Sequence, residues 1–427
     1  MKKIELFFVL MMVFFNVSAQ NIKKNNNESY APDGRVWEIR PGQDYSAILD
    51  SLKPGDQLAF HEGEDQLAFH EGEYDGRVVV KVSGLPGKPI VIRGYGNGEK
   101  RPVLTYKENK GNLLQVNGDY LIFDYLEFRS LRTYAIRIGL RDDGRQDVTI
   151  KNCLFYECGG GSISANAPAT AYKNIHIIDN YFIGPKTTPV YIGDHSGAGA
   201  IEHFVFRGNV IDGSQNDGRE GTTGYGIQLK LNVIKSIIEN NFITGTKGPG
   251  IMVYGATDPD PANANIVKNN IVVGSRRDGG IVVGGGPSEV RNNLLIGCNA
   301  GVAIENYAGR GLLNNIIITG NTAVLSKRYN IALGSAPSAT VQRNVSIALA
   351  GAKDFTGDPR DSDKNQVVPS SPSFEETVAG VMNIIPEKKN LDKIWRRLAK
   401  DAPLTKKKTT KLINLLTQHA IPVKVSH

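Results

Sequence analysis

The chain of 427 residues has only three cysteines, Cys153, Cys158 and Cys298. Three thiols close no disulfide framework, and their spacing fits no zinc pattern. Long apolar runs are missing as well: beyond residues 6–15 nothing approaches the ~20 apolar residues that a bilayer crossing needs. A basic body is also absent. The formal charge is +7, yet residues 381–427 hold 11 Lys/Arg against 3 Asp/Glu, a local +8, and residues 2–5 add +1, which leaves −2 for residues 6–380. Such a body has no general field for nucleic acid, and attraction to an anionic surface would come from the tail. Helical periodicity is absent from the middle of the chain. Hydrophobic residues make up 40%, too many for wholesale disorder, and the 47 glycines follow no triplet period, which excludes collagen.

What is present begins with an address. Lys2 and Lys3 precede the apolar residues 6–15, and Val17-Ser18-Ala19 supplies small residues for a peptidase. Charge, short apolar core and small-x-small exit predict a secretory signal over residues 1–19 and a secreted or periplasmic product. A linker over 20–35 is expected to follow. The mature chain is then expected to have no transmembrane segment and to be monomeric.

One phrase recurs through the body: an asparagine followed by apolar residues, at Asn152, Asn180, Asn209, Asn241, Asn270, Asn293, Asn315 and Asn344. A second phrase interleaves with it, as in Gly226-Ile-Gln-Leu-Lys230, Gly250-Ile-Met-Val-Tyr254 and Gly280-Ile-Val-Val-Gly284. Two short strands recur every few tens of residues with no helix between them. A coil of that kind cannot bury its apolar face alone, so coils must stack with parallel strands about 4.8 Å apart. An asparagine at one turn of each coil can donate and accept from coil to coil. The repeat predicts an all-β solenoid over 36–350, of about ten three-faced coils. Residues 351–427 lose the repeat. Their helical spacing around Leu391–Leu398 and Lys411–Thr417 predicts a basic, partly helical extension. Asp56-Gln-Leu-Ala-Phe-His-Glu-Gly-Glu64 is repeated residue for residue as 65–73. Nine being odd, only one copy is expected to be a strand in phase, the other a bulged loop.

The asparagine turns with the Gly-Ile-x-Val strands resemble the right-handed parallel β-helix of the pectate-lyase-like superfamily. The opening Leu52-Lys-Pro-Gly-Asp56, Gly72-Glu-Tyr74 and Val78-Val-Val-Lys-Val82 is similar to the first coils of its secreted polysaccharide-degrading members. The resemblance implies the fold strongly and the activity weakly, since one fold hosts many chemistries.

Chemistry is expected where loops lengthen in neighbouring coils, after Gly193, Asn209 and Gly255. Alternation along the strand turns Ile227, Leu229, Ile251 and Val253 inward and Gln228, Lys230, Met252 and Tyr254 outward. Lys230 and Tyr254 then hold one position in adjacent coils. Tyr191, Asp194 and His195 lie one coil earlier, and Arg137 projects from the same sheet further up. A lysine base, a tyrosine acid and groups for a carboxylate suit β-elimination in a uronate polymer, where proton abstraction at C5 must be coupled to departure of O4. Lys230, Tyr254 and His195 are the candidate catalytic residues; Arg137, Tyr191 and Gln228 are the candidate substrate contacts. The expected partner is an acidic polysaccharide.

Gly226-Ile-Gln-Leu-Lys-Leu-Asn232 resembles the Gly-Phe-Ala-Ala-Lys-Leu-Thr stretch that carries the base in family-nine pectate lyases, matching at Gly226, Lys230 and Leu231. The calcium-binding aspartates that precede that stretch have no counterpart in Thr222-Thr-Gly-Tyr225. Tyr254-Gly-Ala-Thr-Asp258-Pro-Asp260 is similar to the Tyr-Gly-x-Asp-Pro-His stretch of mannuronan C5-epimerases, without its histidine. Calcium, if used, is expected at Asp194, Asp258 or Asp260. A C5-epimerase and a non-catalytic carbohydrate-binding or accessory β-helix are the competing functions. Hydrolysis ranks below them, because the paired-carboxylate signatures of polygalacturonases do not occur together.

Overall fold

The structure, a computed structural model, describes residues 34–367 apart from 62–71, 96–100, 109, 130–131, 140–143, 169, 195, 214–223, 307–312, 335–338, 348–350 and 358–360. Short strands of three to seven residues dominate, rich in Val, Ile and Phe and ended by glycine or asparagine. Each coil visits three sheets in turn. In one coil these are Gln146–Lys151, Leu154–Tyr156 and Ile163–Ala165. Among the described residues the first sheet holds 15 strands, the second 12 and the third 11. Pairing is parallel and stays in phase: Val148 meets Ile175, Phe155 meets Phe182 and Ser164 meets Tyr191. The all-β, three-faced parallel β-helix expected from the repeat is therefore the fold.

Alternate residues of all three sheets point into one continuous core. Phe128, Phe155 and Phe182 stack inside it with centroids 4.9 and 4.8 Å apart. The one α-helix among the described residues, Ser46–Ser51, buries Leu49. Just before that helix, Tyr45 packs edge-on to Phe60 at 5.1 Å.

The asparagine turn joins the first sheet to the second. Asn180, Asn209, Asn241, Asn270, Asn293, Asn321, Asn344 and Asn365 form one column. Each Nδ2 donates to the Oδ1 of the next asparagine at 2.8–3.1 Å. Each Oδ1 after the first also accepts the backbone N–H of the asparagine one coil earlier, as Asn241 does from Asn209 at 2.8 Å. The Nδ2 groups reach carbonyls of the previous coil too, as Asn241 does to Phe206 at 3.0 Å. Two asparagines of the sequence phrase stand elsewhere. Asn152 has φ +52° and occupies the left-handed position just before the column, where Cys153 takes the column's place and accepts no such ladder. That conformation is one asparagine tolerates better than most residues. Asn315 precedes a first-sheet strand and donates to the Pro259 carbonyl at 2.8 Å. Asn321 and Asn365 take their places.

The stack continues past residue 350. Lys353–Thr356, Asp361–Asp363 and Gln366–Val367 add a strand to each sheet, because main-chain pairing needs no apolar phrase. The first nine-residue copy contributes the strand Gln57–His61, paired to Val36–Ile39 and Ile90–Tyr95. The second copy falls mostly outside the described residues. So do the signal over 1–19, most of the linker, and residues 368–427 with their expected helices. No helix among the described residues is long and apolar enough to cross a membrane.

Candidate active site

The third sheet carries the candidate residues. Its strands Val190–Ile192, Ile227–Leu229 and Ile251–Val253 pair Tyr191 with Gln228 and Gln228 with Met252. Ile227, Leu229, Ile251 and Val253 join the central core, as alternation requires. Lys230 and Tyr254 follow their strands directly and sit in neighbouring coils. Lys230 Nζ lies 3.4 Å from Tyr254 Oη. It also lies over the Tyr254 ring, 4.5 Å from the centroid, and 5.4 Å from the centroid of Tyr191. Gln228 Nε2 donates to the same Tyr254 hydroxyl at 3.4 Å. The structure thus brings together Lys230, Tyr254, Tyr191 and Gln228.

These groups face outward yet are nearly enclosed: Lys230 is 4% exposed, Gln228 4% and Tyr254 7%. Gly193, φ +88°, makes the close approach feasible, for a Cβ there would lie 2.9 Å from Cβ of Lys230. Burial pushes the Tyr254 phenol well above its ordinary value, and its hydrogen bond with Tyr225 adds to the rise, against a smaller lowering by Gln228. Burial raises Tyr191 as well, helped by Tyr134, Tyr254, Asp194 and Tyr225. Both phenols are therefore proton donors throughout the physiological range.

Two loops frame the lysine. Asn232 Nδ2 donates to the Gly197 carbonyl at 3.1 Å, and Thr257 Oγ1 donates to Asn232 Oδ1 at 3.3 Å, tying the loop after Gly193 to that after Gly255. The candidate metal carboxylates hydrogen-bond within these loops. Asp194 Oδ1 accepts Ser196 N, Ser196 Oγ and Gly197 N at 2.6, 2.7 and 2.9 Å. Asp258 Oδ1 accepts Asp260 N at 3.1 Å, and Asp260 Oδ1 accepts Ala262 N at 2.9 Å as the cap of the single turn Pro261–Asn263. Among the described residues no three His, Cys, Asp or Glu side chains gather as metal ligands. His195 lies outside the described residues.

Arg137 is on the same outer column but not at the lysine. The register runs Arg137, Ser164, Tyr191, Gln228, which puts three strand spacings, roughly 14 Å, between Arg137 and Gln228. Alternation alone did not reveal Tyr225, which abuts Tyr254 and whose backbone N–H is held by Thr188 Oγ1 at 3.1 Å. Its only signal was its place between the long insertion and Gly226. Neither did alternation show that the outward face would be covered.

The right-handed beta helix region family model matches residues 114–323. No curated protein matches the sequence. Among solved structures, the chain is similar to a GH136 lacto-N-biosidase from Eubacterium ramulus, at 13% identity and TM-score 0.54, over 79% of this chain and 68% of the other. It is similar to the PL6-family alginate lyase AlyGC at 18% identity and TM-score 0.51, over 79% of this chain and about half (52%) of that one. An alginate lyase from Paenibacillus sp. str. FPU-7 aligns at 18% identity and TM-score 0.45, over 78% of this chain and 99% of that chain. At these identities the likeness is one of fold.

Proposed function

We propose that this right-handed parallel β-helix of the pectate-lyase-like superfamily is an exported lyase that cleaves a uronate-containing polysaccharide by β-elimination. The observation that carries the reading is the enclosed pair Lys230 Nζ and Tyr254 Oη, 3.4 Å apart on adjacent coils. A lysine removed from water loses part of the hydration that favours its charged form. As the neutral amine, Lys230 takes the proton from C5 of the sugar. The C–H electron pair becomes the C4=C5 double bond, the C4–O4 bond breaks, and Tyr254 gives its proton to O4. The Lys230 ammonium then returns a proton to Tyr254 across their contact, which restores both groups. Gln228, already in reach of the Tyr254 hydroxyl, is the amide at hand for the C6 carboxylate whose negative charge grows as C5 is deprotonated.

A hydrolase of the lacto-N-biosidase kind would need two carboxylates flanking the scissile bond. The columns at the lysine read Arg137, Ser164, Tyr191, Gln228, Met252 and Asn166, Gly193, Lys230, Tyr254, Gly284, with no carboxylate in either. The fold neighbour AlyGC is an alginate lyase, which agrees with a uronate substrate and does not choose among uronates. Export through residues 1–19 and a monomeric product belong to the same proposal.

The test is direct. Pectate, alginate, chondroitin, hyaluronan and heparin are incubated with the protein, with and without chelator, and the ultraviolet absorbance of the unsaturated product is followed. Absorbance on one polymer is expected. Deuterium uptake at C5 without absorbance would establish an epimerase instead, and silence in both a binding or accessory protein.

A further inference from the structure

The outer column of the third sheet changes character at the lysine. On the N-terminal side it reads Gln115, Arg137, Ser164, Tyr191 and Gln228. On the C-terminal side it reads Met252, Val282, Ala303 and Ala332. Between Gln115 and Ala332 every polar or aromatic side chain precedes Lys230 and every apolar one follows it; the end strands depart from this, with Val79 before Gln115 and Thr356 after Ala332.

The two sides also differ in how they are covered. Met252 and Val282 are wholly buried although they point away from the central core. They belong to a second apolar cluster with Tyr225, Leu231, Tyr254, Ala300 and Ala303, against which Tyr329 and Ala332 pack. The face beyond the lysine is thus filled by the protein's own side chains. On the other side, Nε of Arg137, Oγ of Ser164 and Oδ1 of Asn166 are buried and find no hydrogen-bond partner among the described residues. Ser164 is enclosed as well, and the openings on this side are at Arg137 and Tyr191, both partly exposed. Unsatisfied buried polar groups are rare and cost stability, and a ligand that completes them is a reason for their retention.

We infer that the cleft is one-sided: the glycan lies along the coils N-terminal to Lys230, over the partly exposed Tyr191 and Arg137, and its end abuts the apolar cluster that covers Met252 and Val282. The inference rests on the glycan reading of the Lys230 site. A polymer held by its end is shortened from that end, and each turnover releases a short fragment while the bulk of the chain keeps its length. An open groove would instead accept the middle of a chain and cut it into pieces of many sizes.

Binding separates these cases without relying on turnover. Lys230→Ala protein is titrated with long polymannuronate or polygalacturonate, and with the same polymer shortened by acid hydrolysis, and half-saturation is compared. A one-sided cleft counts chain ends, so half-saturation falls at equal molarity of chains for both lengths. Half-saturation at equal concentration of sugar units overturns the inference, and so does failure to bind any length of either polymer. The unaltered protein gives a second reading on a polymer it cleaves: absorbance is expected to rise with almost no loss of viscosity and one short product from the first sample. An early collapse of viscosity with a broad range of sizes would overturn the inference while leaving the lyase reading intact. Chain-counted binding without absorbance would do the reverse.

Discussion

The asparagine turn and the lysine cleft both bury polar side chains in columns along the solenoid, and they treat them in opposite ways. In the turn each amide is bonded above and below, and to the backbone on both sides. In the cleft a lysine and a glutamine converge on one tyrosine hydroxyl through contacts of 3.4 Å, at the long end of hydrogen bonding, and polar atoms nearby lack partners. The same register produces both, since parallel stacking places like positions one spacing apart. A column that satisfies itself holds coils together. A column left incomplete can serve a ligand.

The comparison breaks most easily at the ladder. Asn241→Ala removes three or more bonds and leaves the Asn209 amide donors facing a methyl group. With each buried orphan costing about 1–3 kcal/mol, the loss is expected at roughly 3–5 kcal/mol, read from denaturant midpoints, with activity per folded molecule unchanged. A loss below 1 kcal/mol would mean that main-chain pairing alone holds the coils.

The next effect is global and alkaline. Burial pushes the Cys153 and Cys158 thiols up to about 12 and that of Cys298 to about 11. Burial likewise raises the Tyr45 and Tyr181 phenols to about 12. In each case the folded chain binds the proton more tightly than the unfolded one. Their stabilisation is complete below the unfolded values near 9 for cysteine and 10 for tyrosine, and it declines as pH rises toward 12. Melting temperature should therefore fall steadily from pH 9 to 11. A flat profile would contradict the burial of these groups.

Tyr254→Phe is expected to lower the elimination rate at least tenfold while stability changes by under about 1 kcal/mol, since its hydroxyl bonds are long. A stability loss matching that of Asn241→Ala would make the cleft another structural column. The smallest effect belongs to Asn315→Ala, about 1 kcal/mol, because that amide makes an exposed bond outside the ladder and what is lost is chiefly asparagine's tolerance of the left-handed φ of +53°.

These contrasts also mark what the sequence could convey. Lys230 beside Tyr254 follows from period-two alternation and one repeat, and the structure places them so. The ladder was legible in outline and misphased at two points, one at its start and one inside it. Asn321 precedes Thr-Ala-Val, so the apolar signal fails there, while Asn152 stands one residue early because a cysteine fills its coil's ladder position. Alternation states which side chains leave the core. It does not state what they then meet, and Tyr225 and the cluster around Met252 were invisible for that reason. Arg137 stands on the expected face, further up the sheet from the lysine, at three strand spacings from Gln228. Asp194, Asp258 and Asp260 are held in loop turns by backbone N–H groups, a place that favours aspartate whether or not a metal binds.

The central claim is that Lys230 is the base of an elimination. The measurement is the initial rate of unsaturated-uronate formation by Lys230→Ala against the unaltered protein, on the polymer that gives absorbance and at matched circular dichroism and melting temperature. A positioned base contributes about 100- to 10,000-fold, so a loss of at least about a hundredfold is expected in a folded protein. A folded variant that keeps most of its rate would contradict the account.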